Sequence, residues 1–177
     1  LGLPDEVHWD AVAGRGTCVQ ALHIGPGRAW RGDLVCQDDL LIGRHCRVRG
    51  SVKSWGALRL EVGGRVVGNL VAIGRIVLGA DCVVQGAVVS ETAVLLGPGC
   101  VVGAPGAPAT VTAPRIVVEA GVTVYGTLWA GEHGSTPAVP APAQATPDDL
   151  DERDEGQDNV GPHHVDPDDV WPQQVWA

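Results

Sequence analysis

Between residues 33 and 104 the sequence repeats itself every eighteen residues, and that period decides most of what the chain can fold into. Written in rows of eighteen, Leu34, Val52, Leu70 and Val88 fall in one column, and Cys36, Ser54, Ala72 and Ser90 in another. Leu40, Leu58, Ile76 and Val94 line up, as do Ile42, Leu60, Leu78 and Leu96. Cys46, Gly64, Cys82 and Cys100 form a column of small residues, and Val48, Val66, Val84 and Val102 a column of valines. The columns pair as 34 with 36, 40 with 42 and 46 with 48. Within each pair the spacing is two, the side-chain period of a strand. Between pairs the chain has room to turn a corner. A triangular coil follows, with three short strands per rung and neighbouring rungs ~4.8 Å apart. An ordinary β-sandwich would show alternation without a fixed period.

Gly43, Gly50, Gly56, Gly63, Gly68, Gly74, Gly79, Gly86 and Gly97 fall at the corners, where glycine's access to positive φ suits a sharp change of direction. Upstream, Cys18, Leu22, Ile24 and Trp30 keep the register and Gly32 closes that rung. Arg28 falls in the small-residue column, as suits an end rung open to water. Downstream, four extra residues lie within 104–114, after which Ile116, Val118, Val122, Val124, Gly126, Leu128 and Ala130 resume the columns. The fold class expected is all-β. It is a single-stranded parallel β-helix of about six eighteen-residue triangular rungs over residues 16–130. Residues 1–15 form a cap or linker in this reading, with Leu3, Val7, Trp9 and Val12 available to fold over the first rung.

Charge separates the tail from this domain. Residues 1–130 hold ten acidic and eleven basic residues, whereas residues 131–177 hold eleven acidic residues and only Arg153. Residues 131–168 are rich in Pro, Ala, Thr and Asp and read as a disordered acidic linker. Val170–Trp171 and Val175–Trp176 then turn apolar again, so Trp171 and Trp176 are candidates for a short docking motif. No run of eighteen apolar residues and no signal peptide is present. The five cysteines include no CxxC pair, and buried reduced thiols are expected of them.

Arg44, Arg47, Arg49, Lys53, Arg59 and Arg65 occupy outward positions on the second and third rungs. Their ordinary reading is a solvated face. Their functional reading is an anionic-surface patch centred on Arg44, Arg47, Arg49 and Lys53, meeting a membrane surface or the chain's own acidic tail. Nucleic acid is not expected, because the domain is near neutral and offers no aromatic platform or reading helix.

Hexapeptide-repeat enzymes share the eighteen-residue coil and are the rival reading, as acyltransferase-like or carbonic-anhydrase-like catalysts. IGRHCRV (42–48) and LGPGCVV (96–102) resemble their motif. The motif should recur on all three faces, yet the 40/42 face carries two large aliphatics per row, and the 36 column holds Cys, Ser, Ala and Ser. The domain's histidines, His8, His23 and His45, include no closely spaced pair to hold zinc. No GxSxG, P-loop or HExxH motif occurs. No catalytic, cofactor-binding or metal-ligating residue is assigned, and neither a cofactor nor a small-molecule substrate is expected.

The columns resemble the bactofilins, bacterial cytoskeletal proteins that form polymers. The likeness spans about residues 16–130 through a recurring G-x-[LV] at Gly32–Leu34, Gly50–Val52, Gly68–Leu70, Gly86–Val88 and Gly126–Leu128. EAGVTVYGTLWA (119–130) looks like that family's closing rung. The resemblance implies a right-handed β-helix that polymerises end to end without nucleotide. It further implies a cytoplasmic protein, associated with the inner face of the membrane, whose partners are itself and envelope proteins. The contacts expected follow from the ends of such a coil, where strand edges lack partners. Val122, Val124, Leu128 and Trp129 form one contact. Leu22, Ile24 and Trp30 form the other if the Leu3–Trp9 segment leaves them uncovered. A further reading is a monomeric scaffold that recruits partners through its acidic tail.

Overall fold

The computed structural model describes residues 3–137, and every regular element within them is a strand. The strands lie on three walls. The first wall holds Arg15–Cys18, Asp33–Cys36, Val52–Ser54, Leu70–Ala72 and Val88–Ser90. The second holds Leu22–Ile24, Leu40–Ile42, Leu58–Leu60, Ile76–Leu78 and Ala93–Leu96. The third holds Ala29–Arg31, Arg47–Arg49, Arg65–Val66, Val83–Val84, Val101–Val102 and Thr123–Val124. Two longer strands, Ala109–Val118 and Gly126–Ser135, run along the first wall and on into the second.

Successive rungs pair in parallel with the repeat's own register. Leu34 stacks on Val52, Leu70 and Val88, Leu40 on Leu58, Ile76 and Val94, and Val48 on Val66, Val84 and Val102. The columns read from sequence are therefore the inner rows of a β-solenoid. They form one continuous core, in which Leu78 and Leu96 are fully buried. The expected six rungs are present, and two walls of a seventh follow. The last strand continues to Ser135, five residues past the expected end at 130. Its register partners for Arg115, Ile116 and Val117 are His133, Gly134 and Ser135. No apolar side chain announces this last pass; backbone pairing alone carries it.

The corners differ from the sequence expectation in an instructive way. One column, Gly27, His45, Gly63, Asp81, Gly99 and Gly121, has φ between 57° and 72° in every rung. His and Asp are among the few non-glycine residues that tolerate this left-handed conformation. Of the nine corner glycines expected to need positive φ, only Gly63 adopts it. The others are required by close approach: a Cβ on Gly50, Gly68 or Gly86 would strike the backbone of the glycine one rung earlier, and one on Gly43 or Gly97 would strike the carbonyl of Ile24 or Leu78. Beside the Gly50–Gly68–Gly86 column runs a ladder of polar side chains. Asp33 Oδ1 accepts the Ser51 amide at 2.7 Å, Ser51 Oγ accepts that of Asn69 at 3.1 Å, and Asn69 Oδ1 accepts that of Ala87 at 2.8 Å.

The small inward columns carry donors for a physical reason. A corner turns backbone carbonyls toward the core, and a buried acceptor left unpaired is costly. Cys36 Sγ donates to Gln20 O at 3.3 Å, Ser54 Oγ to Asp38 O at 2.6 Å and Ser90 Oγ to Gly74 O at 2.9 Å, each sixteen residues back. Cys46, Cys82 and Cys100 donate to Gly25, Glu61 and Gly79, each twenty-one residues back, at 3.2, 3.1 and 3.0 Å. All five cysteines are free thiols and buried. Burial pushes the Cys36 and Cys46 thiols up from their ordinary range. Cys82 is pushed up by its thiol contact with Cys100 and then by burial. These three are core residues held in the protonated form.

The four-residue insertion is absorbed at a corner. Residues 104–108 form a tight loop closed by the Ala104–Ala107 bridge. Pairing then shifts from eighteen to twenty-three residues on the first wall, where Val88 meets Val111. At the next corner Pro114 takes one residue out, so that Val94 meets Ile116 and Val101 meets Thr123 at twenty-two.

Candidate functional site

The two ends of the coil are built differently. At the N-terminal end His8–Asp10 pairs antiparallel with Arg15–Cys18 and occupies that strand's outer edge. The connection is set by Asp10 Oδ1, which accepts the Val12 and Ala13 amides at 2.9 and 3.0 Å. These bonds hold the Asp10 carboxyl below its usual range. Val7, 8% exposed, joins the core, with Leu3 packed beside it. The cap fits because two glycines leave room. A Cβ on Gly16 would stand 2.6 Å from Val7 Cγ1, and one on Gly32 would strike the Trp9 ring. Leu22 and Ile24 are buried, and so is Trp30 at 8% exposure, so these three side chains lie inside the first rung. The strands that carry them, Leu22–Ile24 and Ala29–Arg31, pair with the second rung and, among the described residues, have no partner on their outer edge.

The C-terminal end carries no such cap among the described residues. Thr123–Val124 pairs only with Val101–Val102, and Gly126–Ser135 only with Ala109–Val118. Val118, Val122 and Val124 are half-buried against the core. Leu128 sits in the inward column beyond Val111, yet it is 44% exposed because no rung covers it. Trp129, 66% exposed, stacks beyond Thr112 on the outside of the first wall. It therefore borders this end from the side, whereas Val122, Val124 and Leu128 face along the coil.

The basic residues divide among walls. Arg44, Arg47, Arg49 and Lys53 are all exposed, but Lys53 lies on the first wall, its Nζ 5.5 Å from the Trp55 ring centre. Arg59 lies on the second wall. Arg47 and Arg49 lie on the third wall, with Arg31 and Arg65 as their ladder neighbours. Sequence reading overlooked Arg31 because it follows Trp30 in an end rung. The signal was its position, eighteen residues before Arg49. His45 is exposed at a left-handed corner, its imidazole over Gly63, and no group of His, Cys, Asp and Glu suited to a metal ion occurs among the described residues. Trp171, Trp176 and the acidic tail lie outside the described residues.

No protein-family model matches the chain, and no curated protein or solved structure is significantly similar to it.

Proposed function

We propose that this chain is a structural scaffold that self-assembles through the ends of its β-solenoid, in the manner the resemblance to bactofilins implies. The observation that supports this reading is the C-terminal rung, which no cap covers among the described residues. Unpaired strand edges template pairing with another chain, and a solenoid that remains monomeric covers its terminal repeats with a polar or folded cap. Here the N-terminal rung has such a cap on one wall, while the C-terminal rung presents Val122, Val124 and Leu128 with edges that, among the described residues, are free on all three walls. A core of aliphatic rows closed by thiol and hydroxyl donors leaves the coil's interior to packing, and the reading is structural and not catalytic.

Electron microscopy and sedimentation of the full chain test the proposal. The expected result is filaments whose length grows with protein concentration and which form without nucleotide. A chain that stays monodisperse at all concentrations overturns it and favours the monomeric scaffold that recruits partners through its tail.

A further inference from the structure

We propose that the N-terminal half of the third wall is a binding site for a compact, multiply charged oxyanion of the phosphate or pyrophosphate type. This inference is independent of assembly at the ends. Arg47 and Arg65 are direct ladder partners, and so are Arg31 and Arg49. Like charges directly opposite each other on a sheet repel, so four guanidinium groups in two adjacent columns are an arrangement that an anion relieves. Arg28 and Arg44 add charge at the adjoining corner, where the Gly27 amide donates to Arg44 O. Ala29 stands in ladder register with Arg47 and ends that column in a methyl group. It leaves a depression of about 300 Å³ lined by Ala29, Trp30, Arg31, Arg47 and Arg49.

Arg31 also lines a neighbouring depression with Asp5, and Arg47 and Arg49, on one strand of the second rung, are the principal groups. Planar guanidinium forks match phosphate oxygens bidentately.

Extent decides the class of ligand. Past Arg65 the same outward columns continue with Val83, Gln85, Val101 and Thr123, all uncharged. The patch spans three rungs and two side-chain columns, roughly 10 Å by 7 Å from strand geometry. That area suits one or two phosphate groups, whereas a membrane surface or a nucleic-acid strand would call for basic residues along the whole wall.

Calorimetric titration of the full chain with inorganic pyrophosphate at low ionic strength tests the site. Saturable one-to-one binding is expected, weakened about tenfold or more by Arg47→Gln and by Arg49→Gln. The charge-matched changes Arg75→Gln and Arg115→Gln on the second wall should leave it unaltered. Pyrophosphate should also raise the melting temperature of the parent chain and leave that of Arg47→Gln unmoved, which separates lost binding from lost fold. Absence of saturation overturns the proposal, and so does equal weakening by all four changes. Tighter association with single-stranded RNA or with phosphatidylglycerol vesicles than with pyrophosphate overturns the compact-ligand assignment and makes the face a docking surface for that polymer or membrane.

Discussion

The first and last rungs of this solenoid are made of the same rows, yet among the described residues only one is covered. In the first rung Gly16 stands where later rungs place Leu34, Val52 and Leu70, and the missing side chain is replaced by Val7 from the cap. In the last rung the same row ends in Leu128, beyond which no described residue packs. The difference teaches that a repeat protein's ends are specified by departures from its repeat: a glycine in a leucine column makes room for a lid, and an unbroken leucine column asks for another rung.

The largest expected effect comes from breaking the open end. Leu128→Arg should abolish assembly outright, since an unpaired charge at the contact is costly to bury, while far-ultraviolet circular dichroism of the monomer stays that of the parent. Filaments of normal length from this variant would remove the C-terminal contact from consideration. In the middle of the coil, Leu78→Ala should lower stability by ~2–5 kcal/mol through the cavity it opens, measured by urea unfolding. A loss as small as a surface change gives would mean that the rows are looser than their burial indicates. At the capped end, Gly16→Val places a side chain where Val7 sits and should cost about 1–3 kcal/mol by overpacking. Its expected signature is faster proteolysis before Arg15 with the later rungs still protected, and uniform sensitivity along the coil would contradict it.

The sequence carried the interior almost completely because each inner row is a column of one residue class. Leu40, Leu58, Ile76 and Val94 could be assigned to a wall from spacing alone, since a strand's two-residue period leaves no freedom once the rung length is known. What it did not reveal lies in backbone geometry. Gly50 and Gly68 read as conformationally permissive residues, and their actual constraint, a carbonyl one rung away, exists only when rungs are stacked. The Asp33–Ser51–Asn69 ladder hid because its three members differ chemically while doing the same thing. Residues 131–135 were invisible as a pass along the second wall because they carry no inward aliphatic residue. Lys53 and Arg49 are separated by only three residues in sequence, but a corner lies between them.

The smallest effect expected distinguishes the interior from both ends by pH. Cys36 and Cys46 have thiol pKa values raised by burial in the folded state. The folded chain therefore holds more protons than the unfolded one once the unfolded thiols begin to ionise at about pH 8.5. Their contribution to stability is fully present below that value and is lost as pH climbs through the raised folded values. Urea midpoints should fall between about pH 8.5 and 10 in the parent. The fall should be shallower in a Cys36→Ser, Cys46→Ser variant, and an identical fall in both would exclude the thiols as its source.

The fixed bonding offsets have a mechanical consequence. Each rung is tied only to the rung before it and the rung after it, and the ladder bonds all run along the coil axis. The molecule therefore has a grain. Tension along the axis loads the inter-rung bonds in series, and the coil parts one rung at a time. Tension across the axis meets the stacked passes of a wall side by side and must break them together. A fibre made by joining such coils end to end would yield at its weakest seam under stretch, yet resist shear with every rung it contains.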